Sequence, residues 1–185
     1  MRRIVLDTET TGLDPALGHR VIELAAVEMV GRRLTGTHLH YYANPERDID
    51  PGAQQVHGIS LEFLQDKPHF RDFAREFLDH IRGAELIIHN AAFDLAFLDS
   101  ELDMLELGRV TDYCAAVIDT LKLAKELHPG QKNNLNALCK RYNIDHSART
   151  LHGALLDAQL LADVYLAMTR GQESLMIYMD IHAAS

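Results

Sequence analysis

The run RRIVLDTETTG, which begins at the second residue, ends an apolar segment on two carboxylates, Asp7 and Glu9. A short unbroken apolar run with β-branched residues reads as a strand buried on both faces. Residues two apart on a strand point to the same side, so Asp7 and Glu9 stand next to each other where the strand leaves the core. There they lose hydration and repel, a cost that is relieved when a cation lies between them. A chain that starts this way needs a sheet around this strand and a charge-neutralising site at its end.

The rest of the pattern supplies that sheet. VIELAAVEMVGRRL reads as a second strand and THLHYYANP as a third, joined by a short polar connection into an antiparallel hairpin. Ser60 is placed to cap a short helix, ISLEFLQD, and VHGI before it reads as a loop. Phe70, Phe73, Phe77, Leu78 and Ile81 recur at helical spacing and stop at Gly83. AELIIHN is a fourth strand, from which FDLAFLDSELDML leaves as a helix. VIDTLKLAKELHPG and NNLNALCKRYNI read as two more helices, and GALLDAQLLADVYLAM as a long terminal one that Gly171 stops. Strands first, then strands interleaved with helices, predict an α/β fold with a mixed central β-sheet flanked by helices. The 185 residues, 47% of them hydrophobic, fit one domain over residues 1–170 with a tail over 171–185.

Several classes of function fall away. No apolar run approaches the roughly 20 residues of a membrane span. Arg2 and Arg3 lead straight into the first strand without a signal peptide, and Cys114 and Cys139 make no disulfide framework, so the expectation is a cytoplasmic protein with reduced thiols. A net charge of −9 argues against a protein that coats nucleic acid, but not against an enzyme that holds the end of one strand.

Two more acids stand in apolar company: Asp94 in HNAAFDLAFL and Asp157 in LHGALLDAQLL. Any one acid is most simply a cap or a solvent-facing residue, and Asp99, Glu101, Asp103 and Asp163 are read that way. His38 and His40 read as the polar side of an edge strand. Asp7, Glu9, Asp94 and Asp157 together read differently. Hard oxygen donors favour Mg²⁺ or Mn²⁺, and no cysteine–histidine cluster argues for zinc.

DTETTG, HNAAFD and HGALLDA, in that order, resemble the three motifs of the DEDDh 3′–5′ exonuclease family, whose fold is ribonuclease H-like. The ordered set, with a histidine five residues before the last aspartate, is a specific signal. IELAAVE, RRLTG, NPE, VHGI, NNLNALCKRY and RTLHGALLDAQLLADVYLAMTRGQ extend the resemblance over nearly the whole chain, toward the proofreading epsilon subunits of bacterial DNA polymerase III.

The resemblance implies a hydrolase that releases nucleoside 5′-monophosphates from DNA 3′ ends during replication, using two Mg²⁺ or Mn²⁺ ions. It implies Asp7, Glu9 and Asp157 as direct ligands, Asp94 as a ligand through water, and His152 as general base. Implied contacts to the terminal nucleotide are Asp7, Thr8, Glu9, Thr10, His57 and Asp157; Phe93 is placed to stack on a base, although a core phenylalanine explains it equally well. At Gly52, where relatives often carry an acid, only backbone contact is left. Gly153 leaves room for a nucleic-acid backbone, and His89 is read as supporting the site or as purely structural. Implied partners are a single-stranded or frayed DNA 3′ end, the polymerase III alpha subunit, the sliding clamp and a theta-like small subunit, with no membrane. In the tail, Gln172, Leu175 and Ile177 resemble a clamp-binding peptide, although packing back on the domain explains the apolar residues equally well. The further segment that joins relatives to the polymerase subunit exceeds this length, which fits a trimmed catalytic domain. The rival readings are a DEDDh ribonuclease or oligonucleotide-trimming enzyme, a non-catalytic scaffold of the replicase, and a small-molecule metal phosphatase.

Overall fold

The structure is a computed structural model that describes residues 1–183, with side chains described through Gly171. Five strands form one mixed sheet. The apolar strand β1 (Arg2–Thr10) lies at its centre, antiparallel to β2 (Val21–Val30) and parallel to β4 (Glu85–Ile88). β3 (Arg33–Tyr42) closes one edge antiparallel to β2, and β5 (Ala116–Asp119) the other, parallel to β4.

Alternation along the strands sends side chains into two cores. Ile4, Leu6, Leu24 and Ala26 pack against Phe70, Phe73 and Phe77 of α3 (Phe70–Ile81) and Phe97 of α4 (Ala91–Met104). Val5, Ala25 and Val27 pack on the opposite face, against Leu138 of α6 (Leu135–Arg141) and Ala158, Leu161 and Tyr165 of α7 (Ala154–Ala183). Asp7 and Glu9 share the parity of Val5, so β1 presents both carboxylates to the side that α7 covers. Ser60 caps α2 (Leu61–Leu64), as expected, by accepting from the Phe63 N–H, and Cys114 and Cys139 are not bonded to each other.

Five elements depart from the sequence reading. The hairpin turns at Gly31, with φ 62°, so Arg33 and Leu34 belong to β3 and pair with Val30 and Met29. The segment VIDTLKL is not all helix: the β-branched Val117 and Ile118 extend into β5, and Asp119 caps α5 (Thr120–Leu127). The stretch before VHGI is helical, as α1 (Pro51–His57). Pro51 starts this helix, and Gly58, with φ 69°, ends it. α4 begins at Ala91, two residues early, after Asn90 in the left-handed region. Gly171 does not stop the last helix, which runs on to Ala183, because a single glycine costs a helix only about 1 kcal/mol. The proposed boundary at 170/171 is therefore not a break in secondary structure. The side chains of Gln172, Leu175 and Ile177 lie outside those described. Among the described residues no helix is long and apolar enough to cross a membrane.

Asp119 ties the sheet edge to the entrance of α4. Its Oδ1 accepts from the Leu121 N–H at 2.9 Å and from the Asn90 N–H at 3.1 Å. Asp119→Ala is expected to lower stability by about 1–2 kcal/mol in urea unfolding. Asp119→Asn, which keeps the acceptor, should lose less than half of that.

Candidate active site

β4 pairs with β1 only as far as Val5, while β2 follows it to Thr10. Past Val5 the flank of β1 is open, and a cleft of about 570 Å³ lies there, at the carboxyl ends of the two parallel strands. Open α/β sheets place ligands in this position. β1 supplies Asp7 through Thr10, the first turn of α4 supplies Asp94, and the first turn of α7 supplies Asp157. The loop ahead of α7 contributes Arg149 and His152. Donor atoms of Glu9, His152 and Asp157 all lie within 4.8 Å of one another, so these three can hold a divalent cation.

The carboxylates are charged only at a cost. Burial, with Asp94, Glu9 and Asp157 adding repulsion, pushes the Asp7 carboxyl well above the usual range. Burial and then Asp157 push Glu9 up to about 9. Asp94 is also driven well up, mainly by burial. Asp7 Oδ2 and Asp94 Oδ2 are buried without a hydrogen-bond partner. Orphaned buried carboxylate oxygens that resist ionisation are the donor set a hard divalent cation fits, and a cation would reverse each shift.

Four histidines near the site have different duties. The His57 Nδ1 accepts from the Ile59 N–H at 3.0 Å, which leaves Nε2 to donate to the Thr10 carbonyl at 3.1 Å. It lines the cleft, and these two bonds tie its ring to β1 and to the turn after α1. His89 is held by Thr120 Oγ1 at 2.9 Å and the Asn133 carbonyl at 2.8 Å, so both its ring nitrogens are engaged by the chain. His19 packs so tightly on Gly12 that a Cβ there would come within 2.5 Å of its ring, which explains the glycine in DTETTG. His152 is different: its backbone N–H donates to the Val56 carbonyl at 2.9 Å, and no ring nitrogen has a partner in the chain among the described contacts. Burial and Arg149 lower its basicity, while Asp157 opposes them.

Thr8, Thr10 and Phe93 line the cleft, and Phe93 also packs on Phe97 with ring centroids 5.0 Å apart. Gly52 does not line it: at the start of α1 it is exposed, and Ala53 and Val56 of that helix face the cleft instead. Glu101 is not solvent-facing but 2% exposed and paired with Arg20. Two further residues escaped the sequence reading. Glu23 lies opposite Glu9 on β2, accepts from the Ala154 N–H at the start of α7 (2.9 Å) and pairs with His40 at 2.6 Å. An acid inside the apolar run VIELAAV carried the same signal as Asp7 and was open to the same argument. Arg149 grips Asp157 with two N–H groups, at 2.7 and 2.9 Å; it opens the stretch RTLHGALLDA, where the sequence reading assigns it no role of its own.

A family model described as exonuclease matches residues 4–165. The chain belongs to the exonuclease family. This exonuclease is 55% identical over 185 residues to the DNA polymerase III subunit epsilon of Escherichia coli (strain K12), spanning 97% of its own length and 76% of that relative. It is 56% identical to the subunit of the same name from Pasteurella multocida over 94% of the chain and 70% of the relative, and 51% identical to that of Rickettsia felis over 97% and 79%. Among solved structures, exonuclease X in complex with 5′ overhanging duplex DNA aligns at TM-score 0.70 and 26% identity, covering 91% of this chain and 92% of that one. Exonuclease I aligns at TM-score 0.79 and 20% identity over 98% of this chain and 43% of that one, a likeness of fold. The expected ribonuclease H-like fold and family are both borne out.

Glu9 sets a pH signature for the exonuclease stripped of metal by EDTA. Its folded carboxyl holds a proton up to about pH 9, whereas the unfolded one releases it near 4.5. The folded state therefore binds more protons through that window, and stability falls as pH rises, by about 1.4 kcal/mol per unit per group. Between pH 7 and 8.5, above the range of the buried histidines, the melting temperature should fall. Glu9→Gln should melt higher and flatten that slope.

Proposed function

We propose that this chain proofreads DNA synthesis as a replicase exonuclease, with Asp7, Glu9 and Asp157 as direct ligands of two Mg²⁺ or Mn²⁺ ions and Asp94 acting through water. The observation that carries this is the convergence of Glu9, His152 and Asp157 within 4.8 Å, beside the partnerless oxygens of Asp7 and Asp94. Two such ions, when bound, neutralise the phosphodiester, acidify a water and steady the departing 3′ oxygen.

The chain's own residues do the rest. His152 takes the proton of the attacking water. A neutral imidazole is required for that, and burial and Arg149, which lower its basicity, favour that form. Water adds to phosphorus, the bond to the 3′ oxygen breaks, and a nucleoside 5′-monophosphate leaves a strand one residue shorter. Thr8, Thr10 and Phe93 line the pocket for the terminal nucleotide, and Phe93 presents a ring on which a base can stack. A Cβ at Gly153 would meet nothing within 4 Å, which leaves that side open to the strand. The likeness to epsilon subunits extends the proposal to a polymerase III alpha subunit as partner, and to the sliding clamp and a theta-like subunit beyond it.

The proximity of His152 to Glu9 and Asp157 also favours a second reading, in which the imidazole is itself a metal ligand. His152→Gln decides between them. As a base, it loses activity by about 10²–10⁴-fold yet keeps the rise in melting temperature that Mn²⁺ gives the wild type. As a ligand, it loses both.

Substrate class is tested on end-labelled strands of equal length. A mispaired DNA primer end should be shortened faster than RNA, and Asp7→Asn should abolish both reactions. Equal or faster loss of RNA would make the chain a ribonuclease instead.

A further inference from the structure

Arg149 is the one lysine or arginine among the described residues that line the cleft, and it points into the acid cluster. Its Nε meets Asp157 Oδ1 at 2.7 Å and its Nη2 meets Asp157 Oδ2 at 2.9 Å, a bidentate fork that takes both carboxylate oxygens. The two side chains are only 6% and 7% exposed. The third nitrogen, Nη1, reaches Asn136 Oδ1 on α6 at 2.8 Å, so the guanidinium is held from two sides.

We propose that Arg149 is a built-in counter-cation that competes with the divalent metal for Asp157, so that loading the site requires the fork to open. The inference rests on the reading of Asp157 as a metal ligand. A cation bound to either oxygen of Asp157 sits about 2 Å from it, bringing two positive charges within a few ångströms in a buried place. Both cannot hold the carboxylate at full strength. The fork compensates Asp157, the acid at the start of α7, and its charge also reaches Glu9. The geometry permits release: Arg149 belongs to the irregular segment between α6 and α7, on a long flexible side chain, and Asn136 offers a second hold once Asp157 is given up.

The test measures Mn²⁺ binding without nucleic acid, by calorimetry or by the electron paramagnetic resonance of free Mn²⁺. Arg149→Gln removes the competitor and should bind Mn²⁺ roughly tenfold more tightly than the wild type. Without metal it should melt lower, and its melting temperature should rise more on adding Mn²⁺. Arg149→Lys keeps the charge but loses the fork, and should fall between the two. Should Arg149→Gln not fold, as judged by circular dichroism, the lysine variant carries the comparison alone. Equal or weaker Mn²⁺ binding by a folded variant overturns the competition while leaving the metal site intact. Absence of Mn²⁺ binding by the wild type and both variants overturns the ligand reading, and this inference with it.

Discussion

Asp7 and Glu9 leave β1 on the side that α7 covers, and Asp157 faces them from the first turn of that helix. Asp94 closes the group from α4. Each carboxylate alone would be a local fault in a hydrophobic core. Together they repel, and burial raises the cost of every charge. The sheet makes the arrangement tolerable: β1 is held by β2 along its length, so the repulsion cannot splay the strand out of the core. The early end of β4 is as important, because it opens one flank of β1 where the charges accumulate.

Glu23 extends the same logic to the framework. Through the Ala154 N–H it fixes the start of α7, where a helix has unpaired donors and a partial positive charge that favours an anion. That contact spans 131 residues and joins β2 to the helix that carries Asp157. His40, on the edge strand, takes the other oxygen of Glu23. A residue that reads as edge-strand decoration thus lies two contacts from the first residue of the helix that carries Asp157. The histidines divide by hydrogen bonding rather than by sequence position. Those with committed nitrogens brace the cleft walls, and His152 has its backbone tied down while its ring faces the acids.

The acid site was legible because its signals are local. Two-residue periodicity places Asp7 and Glu9 on one face of β1 whatever surrounds the strand, and the spacing from His152 to Asp157 spans the start of one helix. The phenylalanines of α3 and the cap at Ser60 likewise depend on neighbours a few residues away. β5 was missed because four residues, read against the stronger helical pattern that follows, do not announce a strand without β4 to pair with. α1 was missed because a seven-residue helix is defined by its ends, Pro51 and Gly58, more than by any apolar stripe.

By itself, then, the sequence determined the strand-borne acids, the helices that bring the others, and the family to which they belong, since each follows from short-range periodicity or an ordered motif. Tertiary structure alone decided which charges compensate which. Arg149 reaches Asp157 from a loop without regular structure, Glu23 reaches Ala154 across the sheet, and Arg20 reaches Glu101 over a gap of 81 residues. Electrostatic pairing acts through space at a few ångströms, and no periodicity along the chain encodes that distance.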